Sequence, residues 1–134
     1  MAWIAHDGGR GSRSDGRPLG SYARRLDRFR ASRLTGARSE NLRLREDFWR
    51  YTHTDENSDR VGEFAIGTNV ELHEVIGHIL QDEKFPGVHI AFGNPYGAHT
   101  GADWYSSTHI DVVGLRFNIH VDGEQIMSEG KFLI

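Results

Sequence analysis

The chain has 134 residues, a formal charge of −3 and no cysteine. This length suits one domain with a modest core, and the lack of cysteine excludes disulfide frameworks, cysteine-ligated zinc and thiol nucleophiles. No run approaches the roughly 18 consecutive apolar residues of a membrane span, and the N-terminus lacks the apolar stretch of a secretory signal, so a soluble cytoplasmic protein with no membrane partner is expected.

The charge is unevenly divided. Residues 1–45 hold 11 Arg against 4 acidic residues, net +7, and residues 46–134 hold 5 basic against 15 acidic residues, net −10. Residues 1–38 form an Arg/Gly/Ser-rich leader, with one helix expected from Ser21 to Leu34, where Tyr22, Leu26, Phe29 and Arg33 share a face. Such a basic segment suggests nucleic acid. It holds no Lys and no recognised motif, so packing on the domain or on a neighbouring subunit is the preferred reading, and nucleic acid is not an expected partner.

Residues 39–134 have the texture of a folded domain. A short helix is expected over Glu46–Tyr51, a polar turn over Asp55–Arg60, a strand over Gly62–Ile66 and a helix over Glu71–Leu80. Strands follow at Val88–Phe92, Thr108–Val113, Arg116–Val121 and Gln125–Ser128. Asp122-Gly123 between two alternating runs is a hairpin signal, because both central turn residues need positive φ. The Gly- and Pro-containing segment between His89 and His109 is expected to be an irregular loop. Strands outnumber helices, which predicts an α+β fold with a small, mainly antiparallel sheet and a few short helices.

Three of these strands repeat one pattern. Alternate side chains of a strand face opposite sides. Glu63 therefore shares a face with Ala65 and Gly67, and His89 with Ala91 and Gly93. His109 shares a face with Asp111. The large apolar residues Phe64, Ile66, Val88, Ile90, Phe92, Ile110 and Val112 take the other side. Imidazole and carboxylate groups on rigid strands, beside small residues that leave space for water and substrate, suit a divalent metal with N/O ligands. The plain alternative is a set of hydrogen-bonded histidines. Glu83 is a possible fifth ligand or a solvated turn residue. Tyr96 and Tyr105 can donate a hydrogen bond to a developing oxyanion or simply pack the loop. His53, His73, His78, His99 and His120 lie outside the pattern.

Longer runs carry a resemblance: Gly62-Glu63-Phe64-Ala65-Ile66-Gly67-Thr68-Asn69, Asp82-Glu83-Lys84, Gly87-Val88-His89-Ile90-Ala91-Phe92-Gly93, Ser106-Ser107-Thr108-His109-Ile110-Asp111 and Asp122-Gly123. In this order and spacing, Ser39 to Ile134 resembles the C-terminal part of the thermophilic leucyl aminopeptidase family of metallopeptidases, which includes aminopeptidase T and aminopeptidase S. The resemblance implies a dimeric enzyme that removes N-terminal residues from peptides at a two-metal site, with zinc, cobalt or related ions; for this chain a divalent metal is expected, zinc first with cobalt or manganese as alternatives, one or two ions. It implies metal ligation by Glu63, Glu83, His89, His109 and Asp111, and a catalytic or substrate-contacting role for Tyr96. The family's N-terminal domain and a further upstream site glutamate have no counterpart in residues 1–38.

The expectation is thus a metal-dependent hydrolase using activated water, with Glu63 or Glu83 as base. Without the family's N-terminal domain the site is more open, and a promiscuous esterase, lactonase or phosphotriesterase is the alternative. A non-enzymatic, oligomerising metal-binding fragment is a third reading. Self-association is expected through a sheet face left apolar and exposed.

Overall fold

The computed structural model describes residues 2–6, 21–22, 28–30 and 32–133. The chain begins with β1 (Ala2–His6), β2 (Ser21–Tyr22), β3 (Arg28–Arg30) and β4 (Arg33–Gly36). It continues through α1 (Leu42–Tyr51), β5 (Val61–Gly67), α2 (Ile79–Asp82), β6 (Gly87–Gly93) and α3 (Gly97–Thr100). It ends with β7 (His109–Leu115), β8 (Ile119–Val121), β9 (Glu124–Ser128) and β10 (Lys131–Phe132). The pairings are antiparallel and give a five-stranded sheet in the order β2-β1-β7-β6-β5, a three-stranded sheet β10-β9-β8 and the β3-β4 hairpin. This is the small α+β architecture expected from the sequence. Among the described residues no helix is long and apolar enough to cross a membrane.

The core lies on one face of β6 and β7. Val88, Ile90, Phe92, Ile110 and Val112 pack with Leu34 of β4 and with Leu44 and Phe48 of α1. Leu44 and Phe48 stand four residues apart, so they form one stripe of the helix. Phe48 meets Phe92 edge to face, with ring centroids 6.1 Å apart. The helix starts earlier than the sequence suggests because Asn41 caps it, its Oδ1 accepting from the Leu44 amide at 3.1 Å. Thr52 ends it, its hydroxyl donating to the Phe48 carbonyl at 2.9 Å.

Two expected helices are corrected. At Ser21–Leu34, β2, β3 and the start of β4 are extended, and the other expected helical positions, 23–27 and 31, lie outside the described residues. Arg30 pairs with Arg33 across a two-residue connection that includes Ser32 at φ 60°. This hairpin delivers Leu34 to the core, and the Leu34 amide donates to the Asp59 carbonyl at 2.9 Å. Strand pairing thus overrides the helical spacing at the described positions Tyr22, Phe29 and Arg33. Over Glu71–Leu80, helix is confined to the last turn, beginning at Ile79. The buried Asp82 carboxylate accepts from the amides of Ile76 and Gly77 at 3.0 and 2.9 Å, and Gly77 stands at φ +83°. Those amides therefore serve a loop rather than a helical ladder.

The other expected strands shift by a residue or two, with one exception. The expected strand Arg116–Val121 is broken: Arg116 sits at φ 58° after β7 ends, and β8 starts at Ile119. Asp122 and Gly123, at φ 51° and 87°, close the β8-β9 hairpin with Val121 opposite Glu124.

The Arg-rich leader contributes to the sheet. β1 lies beside β7, with Ala2 opposite Leu115 and His6 opposite Asp111. β6 and β7 are thereby interior strands, while β5 forms one edge. That edge corrects the placement of Phe64. It does lie on the apolar side, opposite Ile90, but on this edge strand it is 63 % exposed.

Candidate metal centre

The polar face of the same strands gathers four of the expected residues. One ligand atom each from Glu63, His109 and Asp111 lie within 4.8 Å of one another. His89 stands between the two carboxylates: its Nε2 is 2.8 Å from Asp111 Oδ1 and its Nδ1 is 3.6 Å from Glu63 Oε1. His109 Nε2 is 3.2 Å from the same Asp111 oxygen. The register explains the convergence, since Glu63 is opposite Ala91, which is opposite Asp111. The small side chain between them leaves the space that the two carboxylates share.

The hydrogen-bond roles follow from chemistry. An ionised carboxylate only accepts, so both histidines donate from Nε2 to Asp111. His109 also donates from Nδ1 to the Asn94 carbonyl at 2.8 Å, and with two acceptor-only partners its ring carries both protons. Burial pushes the His89 and His109 imidazoles down, but the hydrogen bond to Asp111 and its charge overcome this and raise both above the ordinary value. Glu63 adds to both rings, Glu83 to His89, and the Asn94 carbonyl to His109. Burial pushes the Asp111 carboxyl up, whereas the hydrogen bonds and charges of His109 and His89 bring it down to about 2.

The donor set fits a divalent cation. The Asn94 carbonyl accepts from His109 Nδ1, a tautomer that would leave Nε2 free to ligate. Such orientation of a ligating imidazole through its second nitrogen is usual in metal sites. The Glu63 side chain is 41 % exposed whereas that of Asp111 is 8 %, so the cluster opens to solvent on the β5 side.

The other expected residues are placed less centrally. Glu83 follows α2 and its charge reaches His89, but its Oε1 pairs with Lys84 Nζ at 3.0 Å and it lies outside the Glu63–His109–Asp111 group. Tyr96 precedes α3 at φ 52°, with its ring centroid 4.7 Å from that of His109. Tyr105 is exposed, and its backbone carbonyl accepts from Asn57 Nδ2 at 2.9 Å. His53 stacks on Trp49 at a centroid distance of 3.9 Å.

Sequence reasoning missed the clamp that sets the loop before β7. The Asp55 carboxylate accepts from the Ser107 amide and hydroxyl, both at 2.7 Å, from the Ser106 hydroxyl at 3.0 Å and from the Asn57 amide at 3.0 Å. Burial acts to raise its pKa, but these bonds, Ser107 foremost, hold the group well below the usual carboxylate range. The Arg60 guanidinium covers the Trp104 ring at 4.1 Å. Gly93, at φ +91°, lets the chain leave β6 where a Cβ would stand 2.3 Å from the Thr108 carbonyl oxygen. The Asn94 amide then donates to that oxygen at 2.7 Å, which turns the Asn94 carbonyl toward His109. The sequence signals for this clamp are the Asp55-x-x-Ser58 turn and the Ser106-Ser107-Thr108 run beside His109. Comparison with protein-family models, curated proteins and solved structures gives no match for this chain.

Proposed function

We propose that the protein is a divalent-metal-dependent hydrolase whose centre is built from Glu63, His109 and Asp111, with His89 beside them. The observation that carries this reading is the convergence of those three ligand atoms within 4.8 Å on a face lined by small residues. Zinc suits a mixed imidazole and carboxylate set, and cobalt or manganese accept the same donors. When bound, the ion supplies a Lewis acid and lowers the pKa of a coordinated water toward neutrality.

The chain's own residues do the rest. Asp111 holds the two imidazoles in register, and the Asn94 carbonyl orients His109. In this reading Glu63, the more exposed carboxylate, takes a proton from water, with Glu83 a second candidate base. Tyr96, half exposed beside His109, donates a hydrogen bond to a substrate oxygen in this reading. The resemblance to leucyl-type aminopeptidases favours a peptide N-terminus as substrate. The open β5 side also admits esters, lactones and phosphotriesters, whose better leaving groups need less acid assistance. Exposed Phe64 on the edge strand makes self-association part of the proposal.

The test is turnover of a leucine anilide, an aryl ester and an aryl phosphotriester by protein loaded with Zn²⁺ or Co²⁺. Hydrolysis of at least one, abolished by exhaustive chelation and restored by the metal, is expected. Activity that survives chelation, or no turnover of any of the three, overturns the hydrolase reading.

A further inference from the structure

We propose that Asp55, which supplies no ligand, is a positioning residue of the metal centre: its carboxylate fixes the segment of chain that delivers His109 to the site. This step rests on the metal reading above and extends the centre to the turn before β5.

His109 is the first residue of β7 and pairs with Gly93, the last of β6. Residues 101–108, just before it, lie in no helix or strand, so no strand ladder sets the chain that leads into His109. Asp55 takes that part. Its carboxylate accepts from the Ser107 amide and hydroxyl at 2.7 Å each and from the Ser106 hydroxyl at 3.0 Å. The single proton of the buried Ser106 hydroxyl is thereby committed, so its oxygen accepts, from the Thr108 amide at 3.2 Å and hydroxyl at 3.1 Å. The Thr108 carbonyl in turn accepts from the Asn94 amide at 2.7 Å, and the Asn94 carbonyl from His109 Nδ1 at 2.8 Å. A chain of hydrogen bonds thus runs from Asp55 to the second nitrogen of the imidazole.

The other attachments nearby do not replace it. Asn57 Nδ2 donates to the Tyr105 carbonyl at 2.9 Å and Arg60 covers Trp104 at 4.1 Å, but both act upstream of the two serines. The Tyr51 hydroxyl meets the His109 amide and carbonyl at 3.4 and 3.3 Å, which steadies the main chain and leaves the ring to Asn94. Bonds to an ionised acceptor are short and about twice as strong as neutral ones, which suits a group that must hold a loop still. A metal site needs its ligands within about 0.5 Å of the productive geometry, so slack at Ser106–Thr108 should be felt at the ion.

The experiment compares the full chain with Asp55→Ala by Co²⁺ titration, following competition with a chelator and the visible absorption, whose bands report ligand geometry. Both proteins are held at a temperature where circular dichroism shows them folded. The expected result is an affinity weaker by about tenfold, the lower end of what losing an outer partner of a metal ligand costs, with altered Co²⁺ bands. Asp55→Asn, which keeps the shape and one acceptor oxygen, should fall between the two, and it serves as the comparison should the alanine variant lose its fold. Asn41→Ala removes the cap of α1 and lowers stability away from this loop, so it should bind Co²⁺ as the wild type does. Unchanged affinity and bands in the folded Asp55 variants overturn this step alone. Equal weakening in Asn41→Ala does the same, because affinity would then follow stability. Failure of the wild-type chain to take up Co²⁺ overturns the metal reading and this step with it.

Discussion

The two faces of β6 and β7 are made by alternate residues of the same strands, and they do opposite things. Val88, Ile90, Phe92, Ile110 and Val112 turn to α1 and form the core. His89, His109 and Asp111 turn the other way and bind one another. A period of two is enough to separate stability from chemistry on a single pair of strands. The polar face is held in place by the apolar one, because interior strands with a packed back leave a carboxylate and two imidazoles little freedom to drift.

The largest effect should come from breaking the apolar face. Phe92 is fully buried against Phe48, and Phe92→Ala should lower stability by about 3–5 kcal/mol in urea denaturation. A loss under about 1 kcal/mol would mean that α1 does not pack there.

A smaller effect should come from pH acting on the polar face of the metal-free protein. His89 and His109 have raised folded pKa values, so their contribution is fully present below the unfolded value of about 6.5 and is lost as pH rises through the folded values. Asp111, brought down to about 2, contributes above its ordinary 3.8 and loses that contribution as pH falls through about 2. Metal-free protein should therefore show its highest Tm between roughly pH 4 and 6.5 and decline on the alkaline side. Zn²⁺ should reverse that decline, since it binds deprotonated ligands. A Tm of the metal-free chain that rises steadily from pH 6 to 9 would contradict the assignment of protons to the two rings.

The smallest effect on stability belongs to the edge. Phe64→Ser should change the unfolding free energy by no more than about 0.5 kcal/mol, as expected for an exposed position, while weakening self-association in sedimentation. A large loss of stability, or no change in association, would show that Phe64 does not serve as a contact between copies.

Much of this was legible in the sequence, and the reasons are local. The alternation in Val88–Phe92 and His109–Val112 fixes which side chains share a face, whatever the strands pair with. Asp122-Gly123 announces its own turn through the φ it requires. What failed to show depends on distant partners. The apolar spacing of Val75, Ile79 and Leu80 suits a helix, but Asp82 claims the amides that a helix would use. Phe64 reads as a core residue because sequence does not reveal that β5 is an edge. The Asp55 clamp joins residues about fifty positions apart. Nothing in the Arg-rich composition of the first residues announces that Ala2–His6 pairs with β7 and sets His6 opposite Asp111.

Equilibrium dialysis against Zn²⁺ of the wild-type chain beside His109→Ala tests the proposed divalent-ion site on the polar face. Zinc should be retained by the wild type and largely lost by the variant, with the same far-UV circular dichroism in both. A wild-type chain that retains no zinc, or a variant that retains as much, would contradict it.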